Sequence, residues 1–179
     1  PVAWFFAEHL LEARAASDFP TNGAGFDEDV NVYLADLLCR WATTAADPGI
    51  LPGRDPLLQP PAGSAAAQAQ WYREQADHRL LALGLFDRGD LVRRRVRGWR
   101  MTAAETRRRD REVVQRAYEL AANLISGRAG DQPGLVAVWR KLAAQLDGYL
   151  HVLQTVARRR LGLGARLDDT DLARLLQGP

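Results

Sequence analysis

The 179-residue chain has the length of one globular domain and can bury a core large enough to fold without a crosslink. Its composition, with 47% hydrophobic and 26% charged residues, is ordinary for a globular protein. Cys39 is the only cysteine, which excludes an intrachain disulfide and a cysteine-based zinc site. We therefore expect a single domain over residues 1–179 and a cytoplasmic location.

Membrane association is not expected. The longest apolar runs, residues 2–7 and 80–86, are far shorter than the ~20 residues that span a bilayer. The first run follows no basic stretch and ends at Glu8, so it is also a poor match to a signal peptide.

The net charge of +2 hides an uneven distribution of charge along the chain. Residues 1–90 contain 6 basic and 13 acidic residues, whereas residues 91–179 contain 18 basic and 9 acidic residues. This asymmetry indicates either an anionic partner for the second half or pairing between the two halves.

Two helices are predicted in the first 44 residues. The first covers residues 1–17, and its wide apolar stripe indicates contact with more than one neighbouring helix. That stripe consists of Phe5, Phe6, Leu10 and Ala13, widened by Trp4, Ala7 and Leu11. After a loop at residues 18–26, apolar residues recur at helical spacing from Val30 to Trp41. The acidic residues 27–29 just before this stripe suit the positive end of a helix dipole.

Residues 47–63 form an unusual Pro-rich segment that holds five of the nine prolines. Proline fixes φ and removes a backbone donor, so neither a helix nor a central strand is expected there. Four large aliphatic residues lie between the prolines, namely Ile50, Leu51, Leu57 and Leu58. We expect a strap packed along the body of the protein, with a Pro-rich recognition peptide as the alternative.

Helical patterns continue through the middle of the chain. A third helix is predicted over residues 64–86, with Ser64 as its N-cap. Residues 91–101 are basic and form either a helix or a loop. A fourth helix over residues 102–126 begins with a Thr102–Glu105 capping box, and Gly127 suits the left-handed position after its end.

The longest helix is predicted over residues 135–161, where apolar residues recur at three- and four-residue spacing over three heptads. A short helix is predicted over residues 169–177. No segment shows convincing strand alternation. The expected fold is therefore an all-α antiparallel bundle of about five main helices, with the strap at 47–63 and a short C-terminal helix.

Metal chemistry has weak support. The three histidines, His9, His78 and His151, fall on three predicted helices that could converge within a bundle. Glu74 and Asp147 each precede a histidine by four residues, which stacks a carboxylate and an imidazole on one helix face. No two-histidine or Glu-x-x-His helical signature is present. We expect neither a metal nor another cofactor.

Nucleophilic catalysis has less support. Cys39 adjoins the apolar stripe of the second helix, where an inert buried thiol is expected. The serines, Ser17, Ser64 and Ser126, all fall at predicted helix ends, and none has a base at motif spacing. Both Gly-x-Gly sequences lack the preceding strand that a nucleotide loop requires.

The basic segment at residues 91–116 is the main candidate for binding. It contains ten arginines against three acidic residues. The candidates for contact with an anion or a partner are Arg93, Arg94, Arg97, Arg100, Arg107, Arg108 and Arg111, together with Trp99 as an aromatic that could stack on a base. If residues 91–101 are helical, Arg93, Arg97 and Arg100 share a face. The alternative is that these arginines neutralise acidic residues of this chain or of a protein partner.

By elimination, the sequence favours a non-catalytic helical protein-interaction module that self-associates or belongs to an assembly. Two other functions remain as alternatives. One is a nucleic-acid-binding module that uses residues 91–116, although no recognised nucleic-acid-binding motif accompanies them. The other is a metal-dependent enzyme built around His78 and His151.

Overall fold

The computed structural model describes residues 2–17, 19, 28–44, 60, 62–86, 95–96, 99–100, 103–127 and 133–161. Within these residues lie the helices α1 (Val2–Ala16), α2 (Glu28–Thr44), α3 (Ala65–Leu85), α4 (Ala103–Ile125), α5 (Pro133–Ala144) and α6 (Leu146–Arg160), and a minimal strand pair, β1 (Arg95–Val96) and β2 (Trp99–Arg100). The prediction of an all-α bundle is confirmed. Most of the predicted strap, the capping residue Thr102 and the predicted helix at 169–177 lie outside the described residues.

The six described helices surround one hydrophobic core. Each helix packs against two main neighbours, in the closed order α1–α2–α5–α4–α3–α6 and back to α1. All six helices contribute buried side chains to the same cluster, from Phe6 and Leu10 on α1 to Leu153 and Val156 on α6. α2 and α3, although consecutive, are not neighbours in this ring.

α1 confirms the predicted first helix but buries less of it than expected. Phe6, Leu10 and Ala13 are buried where α1 packs against α2 and α6. Trp4 and Leu11, which were predicted to widen the buried stripe, are instead exposed. The helix therefore contacts more than one neighbouring helix, as predicted, but leaves Trp4 and Leu11 of the predicted stripe exposed.

α3 begins and ends close to the predicted positions. The Ser64 side chain accepts a hydrogen bond of 3.2 Å from the Ala67 backbone N–H and so caps the helix. At the other end Leu80, Leu81, Leu83 and Leu85 are buried, as the apolar sequence of this end predicts. Here α3 approaches α6 so closely that a Cβ placed on Gly84 would lie 2.7 Å from the Leu153 Cβ.

The prediction of one long helix over residues 135–161 is wrong, because the chain leaves helical geometry at Gln145. This residue has φ −121° and ψ 31°, and the next turn is tightened by a 3.0 Å bond from Gly148 N–H to the Gln145 carbonyl. Leu142, Leu146 and Tyr149 on either side are all buried, so the apolar periodicity passes through the break. The break lets α5 pack against α4 and α2, while α6 packs against α3 and α1.

A continuous helix over residues 91–101 is also excluded. Arg95 pairs with Arg100, and Val96 pairs with Trp99, in a short antiparallel ladder. The helical spacing that would align Arg93, Arg97 and Arg100 therefore does not apply.

Gly84→Ala should test the close approach of α3 and α6. Alanine favours a helix over glycine by about 1 kcal/mol, but an added methyl group against the Leu153 side chain costs about 1–3 kcal/mol in a packed core. We expect a net loss of stability, seen as a lower urea midpoint. Gly134→Ala is the matched control, since no atom lies within 4 Å of its added Cβ; this variant should be no less stable than the wild type.

Candidate functional site

The residues proposed as metal ligands do not converge on one point in the structure. The His9 ring and the Glu12 carboxylate are 2.9 Å apart on α1, and the side chains of His78 and His151 are exposed on α3 and α6. Glu74 accepts a 2.9 Å hydrogen bond from Gln70, and Asp147 lies 3.4 Å from Arg111. In the described part of the chain, no three potential ligands lie together in a way that would hold a metal ion.

The serines and the cysteine are placed for structural roles. Ser17 donates its hydroxyl to the Ala13 carbonyl at 2.7 Å, Ser64 caps α3, and Ser126 accepts a 3.3 Å hydrogen bond from Arg140. Cys39 is half-buried, and desolvation raises the pKa of its thiol. A raised pKa lowers the thiolate fraction, which is the nucleophilic form.

Three described arginines of the basic segment lie beside carboxylates. Along α4, Arg108 is 3.6 Å from Glu112 and Arg116 is 3.5 Å from Glu119, and Arg111 reaches Asp147 on α6. Arg107 is half-buried on the same helix. The side chains of Arg93, Arg94, Arg97, Trp99 and Arg100 lie outside the described part of the structure. Arg108, Arg111 and Arg116 therefore have carboxylate neighbours within the protein.

Two ion pairs join the acidic first half of the chain to the basic second half. Lys141 on α5 contacts both carboxylate oxygens of Asp29 on α2 at 3.0 Å. Arg160, at the end of α6, lies 2.6 Å from Glu12 on α1. Hydrogen bonds with His9 and then Arg160 lower the pKa of Glu12. These contacts support the interpretation that acidic residues of the first half pair with basic residues of the second half.

A buried arginine lies between α1, α2 and α6. Arg14 has 0% exposure and donates a 2.8 Å hydrogen bond to the Asn31 side chain. Its guanidinium also lies over the rings of Phe19 and Tyr149, at 4.9 Å and 5.6 Å from their centroids. Such stacking suits a weakly hydrated, planar cation in the interior.

The second buried polar cluster centres on Asp77, which is only 3% exposed on α3. Its Oδ1 accepts two hydrogen bonds, from the Tyr33 hydroxyl of α2 at 2.6 Å and from the Tyr118 hydroxyl of α4 at 2.8 Å. One carboxylate oxygen thus links three helices. The Trp139 indole of α5 lies near the Tyr33 oxygen, although its N–H has no acceptor with hydrogen-bond geometry in the described structure.

Burial is the main influence on the pKa values of Asp77, Tyr33 and Tyr118. Desolvation raises the pKa of Asp77, and this effect outweighs the opposing hydrogen bonds from Tyr33 and Tyr118 and the attraction of Arg73. Desolvation, followed by the neighbouring Asp77 charge, also raises the pKa of both tyrosines. The two hydroxyls therefore remain protonated donors to Asp77.

A groove of about 260 Å³ opens above Asp77 between α2 and α3. We call it the α2–α3 groove; its lining consists of Leu37, Arg40 and Trp41 from α2 and Arg73, Glu74, Asp77, His78 and Leu81 from α3. The groove exists because these two helices are not neighbours in the ring and are joined mainly through side chains. One such contact places the Trp41 and Phe86 rings at 56° to each other with their centroids 5.5 Å apart.

A second surface feature, besides the α2–α3 groove, is apolar and lies on α1. We call it the α1 face; it centres on Trp4 and Leu11, which lie on the same side of the helix and are 76% and 49% exposed. Exposed apolar side chains are ordinary when they occur singly, whereas a group of them on one helix marks a contact site.

Comparisons with protein-family models, with characterised proteins and with solved structures find no match to this chain. No helix in the described part combines the length and the apolar character that a bilayer-spanning segment requires. The geometry of the α1 face and of the α2–α3 groove is therefore the basis for assigning a function.

No motif in the sequence marks Arg14 or Asp77 as important. A signal was nevertheless present, since Arg14 follows Leu10 by four residues and Asp77 precedes Leu81 by four. Each charged residue thus occupies a stripe position where an apolar residue is expected. A charge at such a position indicates a polar contact within the core, but not its partners.

Asp77→Ala should be strongly destabilising. It removes the acceptor of two buried hydroxyls, each costing about 1–3 kcal/mol when left unsatisfied, so we expect a loss of about 2–5 kcal/mol in the free energy of unfolding. Asp77→Asn keeps an acceptor oxygen and should lose less. Urea denaturation of both variants near neutral pH measures the difference, and equal losses would contradict a role for this oxygen.

The same pair of proteins tests the ionisation of Asp77. Because its pKa is raised in the folded protein, its favourable contribution is fully present below about 3.8, the ordinary pKa, and is lost as pH rises towards the folded value. The unfolding free energy of the wild type, relative to that of Asp77→Asn, should therefore decrease as pH rises from about 4. A relative stability that increases with pH would show that Asp77 is ionised without penalty.

Proposed function

We propose that this protein is a non-catalytic helical interaction module that associates with a second copy of itself through the α1 face. The single observation that carries the proposal is the exposure of Trp4, which is 76% accessible on a helix whose opposite side is buried in the core. A cytoplasmic location, where Cys39 stays reduced, belongs to the same proposal.

The spacing of the exposed residues suits a two-fold contact. Trp4 and Leu11 are seven residues apart, so they lie on the same side of α1 about two turns from each other. If two copies of α1 cross in antiparallel orientation, Trp4 of one copy meets Leu11 of the other, and the same contact occurs twice. A self-complementary surface of this kind is what a two-fold symmetric dimer requires.

The size of the face implies a weak dimer. A helix of 15 residues is about 22 Å long and about 10–12 Å wide, so its footprint is well under the ~800 Å² per partner of a standard interface. The proposed association is therefore reversible and depends on protein concentration.

Glu8 should make the dimer sensitive to salt. It is exposed on α1 between Trp4 and Leu11, so a two-fold axis through the contact brings the two Glu8 carboxylates near each other. Salt screens this repulsion and strengthens apolar association. Binding of a nucleic acid through arginines has the opposite dependence, because it weakens as salt rises.

Replacement of the apolar side chains of α1 should abolish self-association. In sedimentation velocity at protein concentrations up to about 300 μM, the wild type should show a rising dimer fraction, with a Kd between about 1 μM and 1 mM. Trp4→Ser and Leu11→Ser should each weaken the dimer at least tenfold, and higher salt should strengthen the wild-type dimer.

Val32→Ser is the matched control, since Val32 is a similarly exposed apolar residue on the neighbouring helix α2. This variant should keep the wild-type dimer. A strictly monomeric wild type, or a dimer that is lost in Val32→Ser but kept in Trp4→Ser, would contradict the proposal. Protection of the Trp4 indole from an aqueous quencher in the monomer would also contradict it, because another segment of the chain would then cover the α1 face.

A further inference from the structure

We infer that the α2–α3 groove binds a small organic carboxylate, with the acid group against Arg73 and the apolar body between Leu37, Trp41 and Leu81. The inference concerns a different surface from the α1 face and stands independently of self-association. It rests on an incompletely hydrogen-bonded guanidinium next to an apolar space of suitable size.

Arg73 provides the polar part of the site. Its Nε is buried and has no hydrogen-bond acceptor in the described part of the chain. The nearest carboxylate oxygens, Asp77 Oδ2 to its Nε and Glu74 Oε1 to its Nη2, are both 3.7 Å away, which exceeds hydrogen-bond distance. The guanidinium is thus oriented by two carboxylates and hydrogen-bonded to neither. Because Nε itself is buried, a ligand carboxylate in the groove meets the guanidinium at its terminal Nη groups, which can donate two parallel hydrogen bonds.

Both acids beside Arg73 also accept hydrogen bonds from other side chains, so they compete less strongly with a ligand for its guanidinium. Oδ1 of Asp77 already accepts from two tyrosine hydroxyls, and Glu74 accepts from Gln70 at 2.9 Å. Arg40 lines the opposite wall and adds a second positive charge, held by a 2.9 Å contact with Asp36. His78 lies at the same rim and can donate a ring N–H.

The rest of the groove determines the size and polarity of the part of the ligand that lies beyond its carboxylate. Leu37 and Trp41 from α2 and Leu81 from α3 line it with apolar surface. The tilted ring contact of Trp41 with Phe86 holds the indole in place as a wall. A volume of about 260 Å³ corresponds to about nine water molecules at ~30 Å³ each. This space suits a monocarboxylic acid with one six-membered ring or a short branched chain.

Phenylacetate is a probe of this class, and phenylacetamide is its neutral equivalent of nearly the same shape. In calorimetric titrations of the full chain at low salt, we expect phenylacetate to bind at least tenfold more tightly than phenylacetamide, and phenethylammonium not to bind. Arg73→Gln should weaken phenylacetate binding at least tenfold. Arg158→Gln, which removes an exposed arginine of α6 outside the groove, should leave the affinity unchanged.

A spectroscopic measurement on the unaltered protein keeps the test independent of variant folding. Phenylacetate should shift the NMR signal of the Trp41 indole N–H and leave that of Trp4 unchanged. Equal affinity for the acid and the amide, preference for the ammonium compound, or undiminished binding by a folded Arg73→Gln protein would each overturn the inference. A shift at Trp4 without one at Trp41 would also overturn it, because the probe would then bind the α1 face.

Discussion

The sharing of one buried carboxylate oxygen by two tyrosine hydroxyls constrains the arrangement of α2, α3 and α4. Asp77 lies on the buried side of α3, where a carboxylate is costly unless it is hydrogen-bonded. Tyr33 and Tyr118 reach it from separate helices at 2.6 Å and 2.8 Å, so all three helices must keep their positions for the contacts to exist. Apolar packing alone tolerates small sliding of helices, whereas a shared acceptor of this kind does not.

The α2–α3 groove results from the order in which the helices pack. In the closed order of helices, α2 packs against α1 and α5 while α3 packs against α4 and α6, which leaves a gap between α2 and α3. Tyr33 spans that gap to Asp77 at its floor, and Arg73 is held beside the carboxylate without a hydrogen bond. A polar contact made for stability thus leaves an oriented guanidinium at the edge of an apolar space, where a small acid fits.

Charge and apolar surface are distributed differently over the molecule. The excess of basic residues in the second half is met by contacts such as Lys141 with Asp29 and Arg160 with Glu12, which join helices distant in sequence. Exposed ion pairs contribute little stability individually, but they offset the asymmetry that the sequence shows. Among the described residues, Trp4 and Leu11 form an exposed apolar surface on one side of α1, and for that reason the proposed association is assigned to α1.

Local signals along the chain specify where most helices begin and end. Ser64 caps α3, Gly127 takes the left-handed φ of 72° after α4, and helical periodicity marks the buried side of α2. Local signals do not specify the break at Gln145, the exposure of Trp4 or the partners of Asp77 and Arg14. Each of these depends on which helices become neighbours. The apolar pattern continues unchanged through Gln145, so periodicity could not reveal that the two segments pack against different helices.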